Sequence, residues 1–297
     1  MALTVSALTL TLPNPARVET TIDYAYEQVG GGETERKSSR LRYEKVISAR
    51  EGGYRVSRRT LEFRPTAQAE VPDLVQAIAD ALPARDLTYL ADRNLTPQSV
   101  ENWSELSARV SNDMVSAASD GHMDSGLVVR MSLWATTSPA DAVYYALRSE
   151  VELARPIGAV FKAGKSIVTD EPRAFLFDGQ DIAGRSVLSL EKVDEARGIA
   201  VLSYRRAADP KALKAILDDV FDDIVSEMKL AGRGPVDAKK LTAPEFEDTT
   251  TCRYEVDLKT GLPTKAECEY TARRTDLEFL QVTTRTERWA ITQTLKN

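Results

Sequence analysis

From residue 18 to residue 27 the side chains alternate. Val18, Thr20, Ile22, Tyr24 and Tyr26 fall on one side of an extended chain, and Glu19, Thr21, Asp23, Ala25 and Glu27 on the other. A period of two gives a strand one buried face and one wet face, so this stretch packs as a single layer over a core. Gly30-Gly31-Gly32 ends it. Leu41-Arg42-Tyr43-Glu44-Lys45-Val46 and Tyr54-Arg55-Val56 continue the alternation about a turn at Glu51-Gly52-Gly53, and Leu61-Glu62-Phe63 closes the third run before Pro65. The spacing predicts an N-terminal antiparallel meander.

Other periods follow. Val71, Leu74, Val75, Ile78 and Leu82 share one helical face ahead of Pro83. Leu87–Asp92 and Leu95–Val100 read as a short hairpin about Arg93-Asn94. A helix is expected over Glu101–Ala118 and another from Ser138-Pro139, with Ser138 as cap. Strand patterns return at Ala174–Phe177, Ser186–Leu190 and Ile199–Tyr204, then a helix from Pro210 to about Leu230, then strand to Leu295. The sum is an α+β chain with two antiparallel sheet lobes, residues 1–100 and 163–297, and a helical insert at 101–162 between them. Tyr43-Glu44-Lys45-Val46 and Leu190-Glu191-Lys192-Val193 each precede a turn, a strand, a proline and a helix, so a tandem β-β-β-α-β-β repeat is one reading of the order.

An apolar share of 42% and a charged share of 28% over 297 residues suit a folded chain with a sizeable core. A formal net charge of -6 argues against nucleic acid as a partner, because phosphate recognition needs a basic surface. The sequence has no apolar run of about 18 residues, so no membrane-spanning helix is expected. The opening Leu3-Thr4-Val5 to Leu10 alternates like a strand and lacks a basic leader region; if the protein is exported, its leader is gone and Met1 is an added start.

The two cysteines, Cys252 and Cys268, flank a turn at Lys259-Thr260-Gly261-Leu262-Pro263. Folding the stretch as a hairpin about Thr260-Gly261 brings them opposite or nearly opposite, where a cross-strand disulfide is reasonable. Such a bond persists only in an oxidising compartment, so periplasm or secretion follows if it forms; two reduced buried thiols in a cytoplasmic protein are the alternative. The strand, Asp257-Leu258-Lys259-Thr260-Gly261-Leu262-Pro263 turn and strand of Tyr254–Glu269 resemble hairpins of exported bacterial envelope proteins and of the curved-sheet lipoprotein carriers. The resemblance covers about twenty residues. It implies a periplasmic setting and a sheet grasping helices, with lipid or protein binding, and it carries no binding residues over.

Several chemistries are weighed against plainer roles. Ala159–Ser166 matches a relaxed phosphate-loop pattern, but a strand-like segment follows it where that mechanism needs a helix N-terminus. His122 is the single histidine, and its neighbours form no nucleophile elbow, so it reads as a loop residue. Asp218, Asp219, Asp222 and Asp223 read as a solvated helix face. Trp103, Met131, Trp134, Tyr144, Tyr145 and Phe161 concentrate large side chains in the insert and its exit, either as core or as a ligand or partner surface. Arg36, Arg40 and Arg42 share strand parity, so they line one exposed face, either toward an anionic partner or paired with acids from the other lobe. No catalytic, metal or cofactor residues are assigned. The expected function is non-catalytic binding of a hydrophobic, lipid-like ligand or an envelope protein; a hydrolase with a carboxylate pair between the lobes and a pure scaffold are the alternatives.

Overall fold

The computed structural model describes residues 7–66, 84–118, 137–162, 165–171, 173–174, 181–212, 214–215, 246–276 and 281–296. The expected meander is present as β1 (Ala16–Gly30), β2 (Glu33–Arg50) and β3 (Gly53–Thr66), followed by the short hairpin β4 (Leu87–Asp92) and β5 (Pro97–Val100). Three helices come next: α1 (Trp103–Ala118), α2 (Ala142–Ala146) and α3 (Arg148–Ala154). The second half holds β6 (Ile167–Asp170), β7 (Arg173–Ala174), β8 (Asp181–Ile182), β9 (Gly184–Asp194), β10 (Ile199–Ala208), β11 (Phe246–Asp257), β12 (Pro263–Asp276) and β13 (Gln281–Lys296). The helix expected at 71–82 and most of the one from Pro210 lie outside the described residues. Ser138 accepts the Asp141 N–H through Oγ (3.1 Å) in a capping turn, but the regular helix starts only at Ala142.

The two separate sheets expected from the sequence are one. Eleven strands run in the order β5-β4-β3-β2-β1-β13-β12-β11-β10-β9-β6, and β7 and β8 pair apart from them. The joint is the β1–β13 pair, antiparallel from Arg17↔Lys296 to Val29↔Thr284. Reading each half alone leaves β1 and β13 as long alternating edges; pairing them satisfies both rows of backbone groups at once. The fold is mainly β with a few helices, within the broad α+β class.

One face of the sheet is covered and the other is wet, as antiparallel sheets allow. Val18 and Ile22 of β1, Leu41, Tyr43 and Ile47 of β2, Tyr254 and Val256 of β11, and Trp289 and Ile291 of β13 all point to the covered side. Beneath it the core forms two clusters. The first joins β3, β4 and β5 to α1 and α2 through Val56, Tyr89, Val100, Trp103, Leu106 and Ala146. The second joins β9 to β13 to Leu153 of α3 and to Phe161 through Leu202, Tyr204, Cys252, Tyr254 and Ala266.

The opening run, described from residue 7, forms no strand of the sheet. Leu8 is buried in the second cluster, and Leu10 and Leu12 pack on the first. The backbone pairs with loops instead: Leu8 donates to Ala159 O (2.9 Å), Gly158 donates to Leu8 O (2.8 Å), and Thr11 donates to Thr260 O (2.8 Å). At the β11–β12 turn Gly261 has φ of 69°, and a Cβ there would lie 2.4 Å from the Thr9 carbonyl oxygen. Only glycine allows that turn and that close approach together.

Candidate functional site

Alternation puts charge on both faces of the sheet, and the two sets differ in character. On the covered face Lys45 sits between Tyr43 and Ile47, Arg206 follows Tyr204, and Glu287 precedes Trp289, each at the parity of the core residues. They survive there because each meets a counter-charge, from α3 for Lys45 and Glu287 and from β11 for Arg206. Glu150 meets Lys45 Nζ at 2.8 Å and accepts the Tyr43 hydroxyl. Arg148 pairs with Glu287 at 3.1 Å, its guanidinium 4.4 Å from the Tyr270 ring centre and 4.7 Å from that of Trp289. Arg155, just past α3, pairs with Glu152 and with Glu171 (2.6 Å) and lies 4.4 Å over the Tyr204 ring. Arg206 meets Asp248 at 2.9 Å.

Burial works against the Glu150 carboxylate, but Lys45, the Tyr43 hydroxyl and Arg58 more than offset it and hold the carboxyl below its ordinary range. Glu171 is held down in the same way by Arg155 and Tyr204. The Tyr43, Tyr89 and Tyr254 hydroxyls are pushed well up, first by burial and then by neighbouring carboxylates. These groups are fixed in one protonation state at neutral pH, which suits a structural lattice under α3.

The wet face carries a groove. Registered residues cross it in two rows: Val187, Arg205, Thr251, Glu269, Arg288 and Ala25 in one, and Ser189, Ser203, Arg253, Glu267, Ala290 and Asp23 in the other. Both rows line one open concavity of about 980 Å³ that spans β9, β10, β11, β12, β13 and β1. At the usual interstrand spacing six strands span about 24 Å. Ala25, Ala290, Ser189, Ser203, Thr251 and Val187 supply the small side chains. The charges around them pair sideways: Arg253 with Glu191 at 3.2 Å and Arg288 with Glu269 at 2.6 Å. Hydrogen bonding to Arg40 and to Lys265 holds the Asp23 and Glu267 carboxyls below their ordinary values.

Cys252 and Cys268 are direct cross-strand partners in β11 and β12, Cα atoms 4.1 Å apart, and are joined as a disulfide on the covered side. Arg36, Arg40 and Arg42 do share the wet face. Arg36 pairs with Glu27 (2.7 Å) and Arg40 with Asp23 (2.6 Å), both acids on the adjacent strand β1 rather than from a second lobe. Arg42 is exposed and, behind Lys296, helps lower the Glu19 carboxyl. The aromatic set is not one surface among the described residues. Trp103 is buried in the first core cluster, its indole N–H donating to Thr137 O (2.9 Å), and Phe161 is buried in the second. Tyr144 is 44% exposed. Met131, Trp134 and the side chain of Tyr145 lie outside the described residues, as do His122 and the Asp218–Asp223 acids. The phosphate-loop match at Ala159–Ser166 runs into β6, a strand.

Sequence reasoning missed the groove and the charges under α3. The buried charges leave a trace, since Lys45 and Arg206 stand at core parity within strong alternation. A groove built from six strands leaves none, because its rows exist only once the register is known.

No family model matches the chain, and no curated protein matches it. Among solved structures it is similar to a domain described as an outer membrane lipoprotein-sorting protein from Vibrio parahaemolyticus. The two share 10% identity with a TM-score of 0.14, over 94% of this chain and 84% of that one. A likeness of this size carries no argument. Among the described residues no helix is long and apolar enough to cross a membrane.

Proposed function

We propose that this chain is a non-catalytic binding protein of an oxidising compartment, the bacterial periplasm, that holds a hydrophobic ligand or an envelope protein on the open face of its sheet. The observation that carries the reading is the groove of about 980 Å³ across six strands. It lies on the face that the protein's own core does not use, and its small side chains leave room above the sheet. The buried Cys252–Cys268 disulfide supports the compartment, because such bonds persist where thiols are oxidised. The neighbouring carboxyls Asp23 and Glu267 are held ionised, which suits charge pairing rather than proton donation. The three-part division at 100 and 162 and the tandem repeat belong to the same proposal.

Native mass spectrometry of protein purified from its own host, before and after organic extraction, tests the reading. A lipid-sized mass that extraction removes is expected in the wild type, and it should be lost in Ser203→Trp, which fills the groove floor, with thermal stability unchanged. A bare mass in the wild type, or a bound mass that persists in the Trp variant, overturns it.

A further inference from the structure

The two edges of the sheet are unlike. β5 is four residues long, begins at Pro97, which has no N–H to donate, and Val100 gives its N–H to Pro139 O (2.8 Å). Those are the usual devices that blunt an edge. At the other edge β6 covers only Arg185–Leu188 of the longer β9, and among the described residues no strand pairs with its outward side. Val168 is 57% exposed and the Asp170 side chain 89% exposed. Glu171 donates its N–H to Gly184 O (2.8 Å), so by antiparallel alternation residues 167, 169 and 171 bond inward to β9. The backbone N–H and C=O groups of Ser166, Val168 and Asp170 then face outward.

We propose that this edge is a self-association surface, where β6 of a second copy of the chain pairs antiparallel with β6 and Val168 lies on the two-fold axis. In that register Ser166 faces the partner's Asp170, and Lys165 faces the partner's Glu171. All three outward-facing residues are then used in one ladder. The charge order selects this arrangement over a parallel one: in-register parallel pairing would set two exposed Asp170 carboxylates together, whereas antiparallel pairing sets each against Ser166, and Glu171 stays with Arg155 and Tyr204. Val168 neighbours Val187 on the wet face, so the pairing joins two copies of that valine pair into one apolar stripe. An isologous contact of this kind closes at two copies and leaves the blunted β5 edges outermost.

Cysteine chemistry tests the register. The described cysteines are both in the disulfide, so Val168→Cys supplies the sole free thiol of the chain. Sedimentation of the wild type over rising concentration should show the mass climbing from 32.8 kDa toward twice that value. Val168→Arg places like charges on the axis at an exposed position and should stay at the monomer mass throughout. Mild oxidation should cross-link Val168→Cys, whereas Gln98→Cys, exposed on the opposite edge, should stay single. A wild type that remains monomeric, a dimer that survives Val168→Arg, or equal cross-linking at both cysteines overturns the proposal.

Discussion

The two faces of this sheet use the same chemistry to different ends. On the covered face Lys45–Glu150 and Arg206–Asp248 have side chains 4 to 7% exposed. On the wet face Arg288–Glu269 and Arg253–Glu191 have side chains 41 to 58% exposed. A buried pair is strongly destabilising to break because the survivor is left charged in a poor solvent, whereas an exposed pair exchanges its partner for water at little loss. The covered face is therefore locked by charge, while the wet face is merely decorated by it and stays available to a ligand.

That contrast can be broken most strongly at Glu150. Glu150→Gln should destabilise the fold by about 3 to 5 kcal/mol in urea unfolding, because it strands Lys45 among apolar neighbours. A paired Lys45→Met, Glu150→Leu change should recover most of the loss, and a double variant as unstable as the single one would sink the argument. Opening the disulfide comes next: Cys252→Ser with Cys268→Ser removes a bridge of sequence separation 16, worth about 3 kcal/mol in the chain-entropy model. Comparing urea midpoints with and without reductant checks it independently.

Acid sharpens the comparison. The Glu150 carboxyl is held below its usual 4.5 in the folded state, so its contribution is present above that pH and is lost as pH falls through the folded value. Unfolding followed below pH 4.5 should show the wild type losing more stability than Glu150→Gln; parallel curves would contradict it. The smallest effect belongs to the wet face. Arg288→Ala should lower stability by less than about 1 kcal/mol, and added salt should shrink even that difference. A loss as large as that at Glu150 would mean that the two faces do not differ as described.

Much of the fold was legible because the alternation is strong and the turns carry glycine or proline. The β1–β2–β3 meander, the β4–β5 hairpin, α1 and the Cys252–Cys268 opposition all follow from local pattern. The opening Leu8 and Leu10 illustrate its limit: the alternation reads as a strand, yet the backbone there pairs with loops at Ala159 and Thr260 and joins no sheet. Alternation records which side is buried, not what the backbone bonds to. Of the candidate site, the shared face of Arg36, Arg40 and Arg42 was readable, and their acidic partners on β1 were not.

By itself the sequence determined an α+β chain of antiparallel strands, its strand parities, its charge balance and a cysteine pair set for cross-strand opposition. These are properties of neighbours along the chain, where a period of two and a turn residue suffice. Only the tertiary structure decided that β1 and β13 fuse the two halves into one sheet, that α3 brings Glu150 to Lys45, and that six strands leave a groove. Each depends on which distant segments meet, and pairing across more than 250 residues of chain is set by satisfying whole edges and buried charges together.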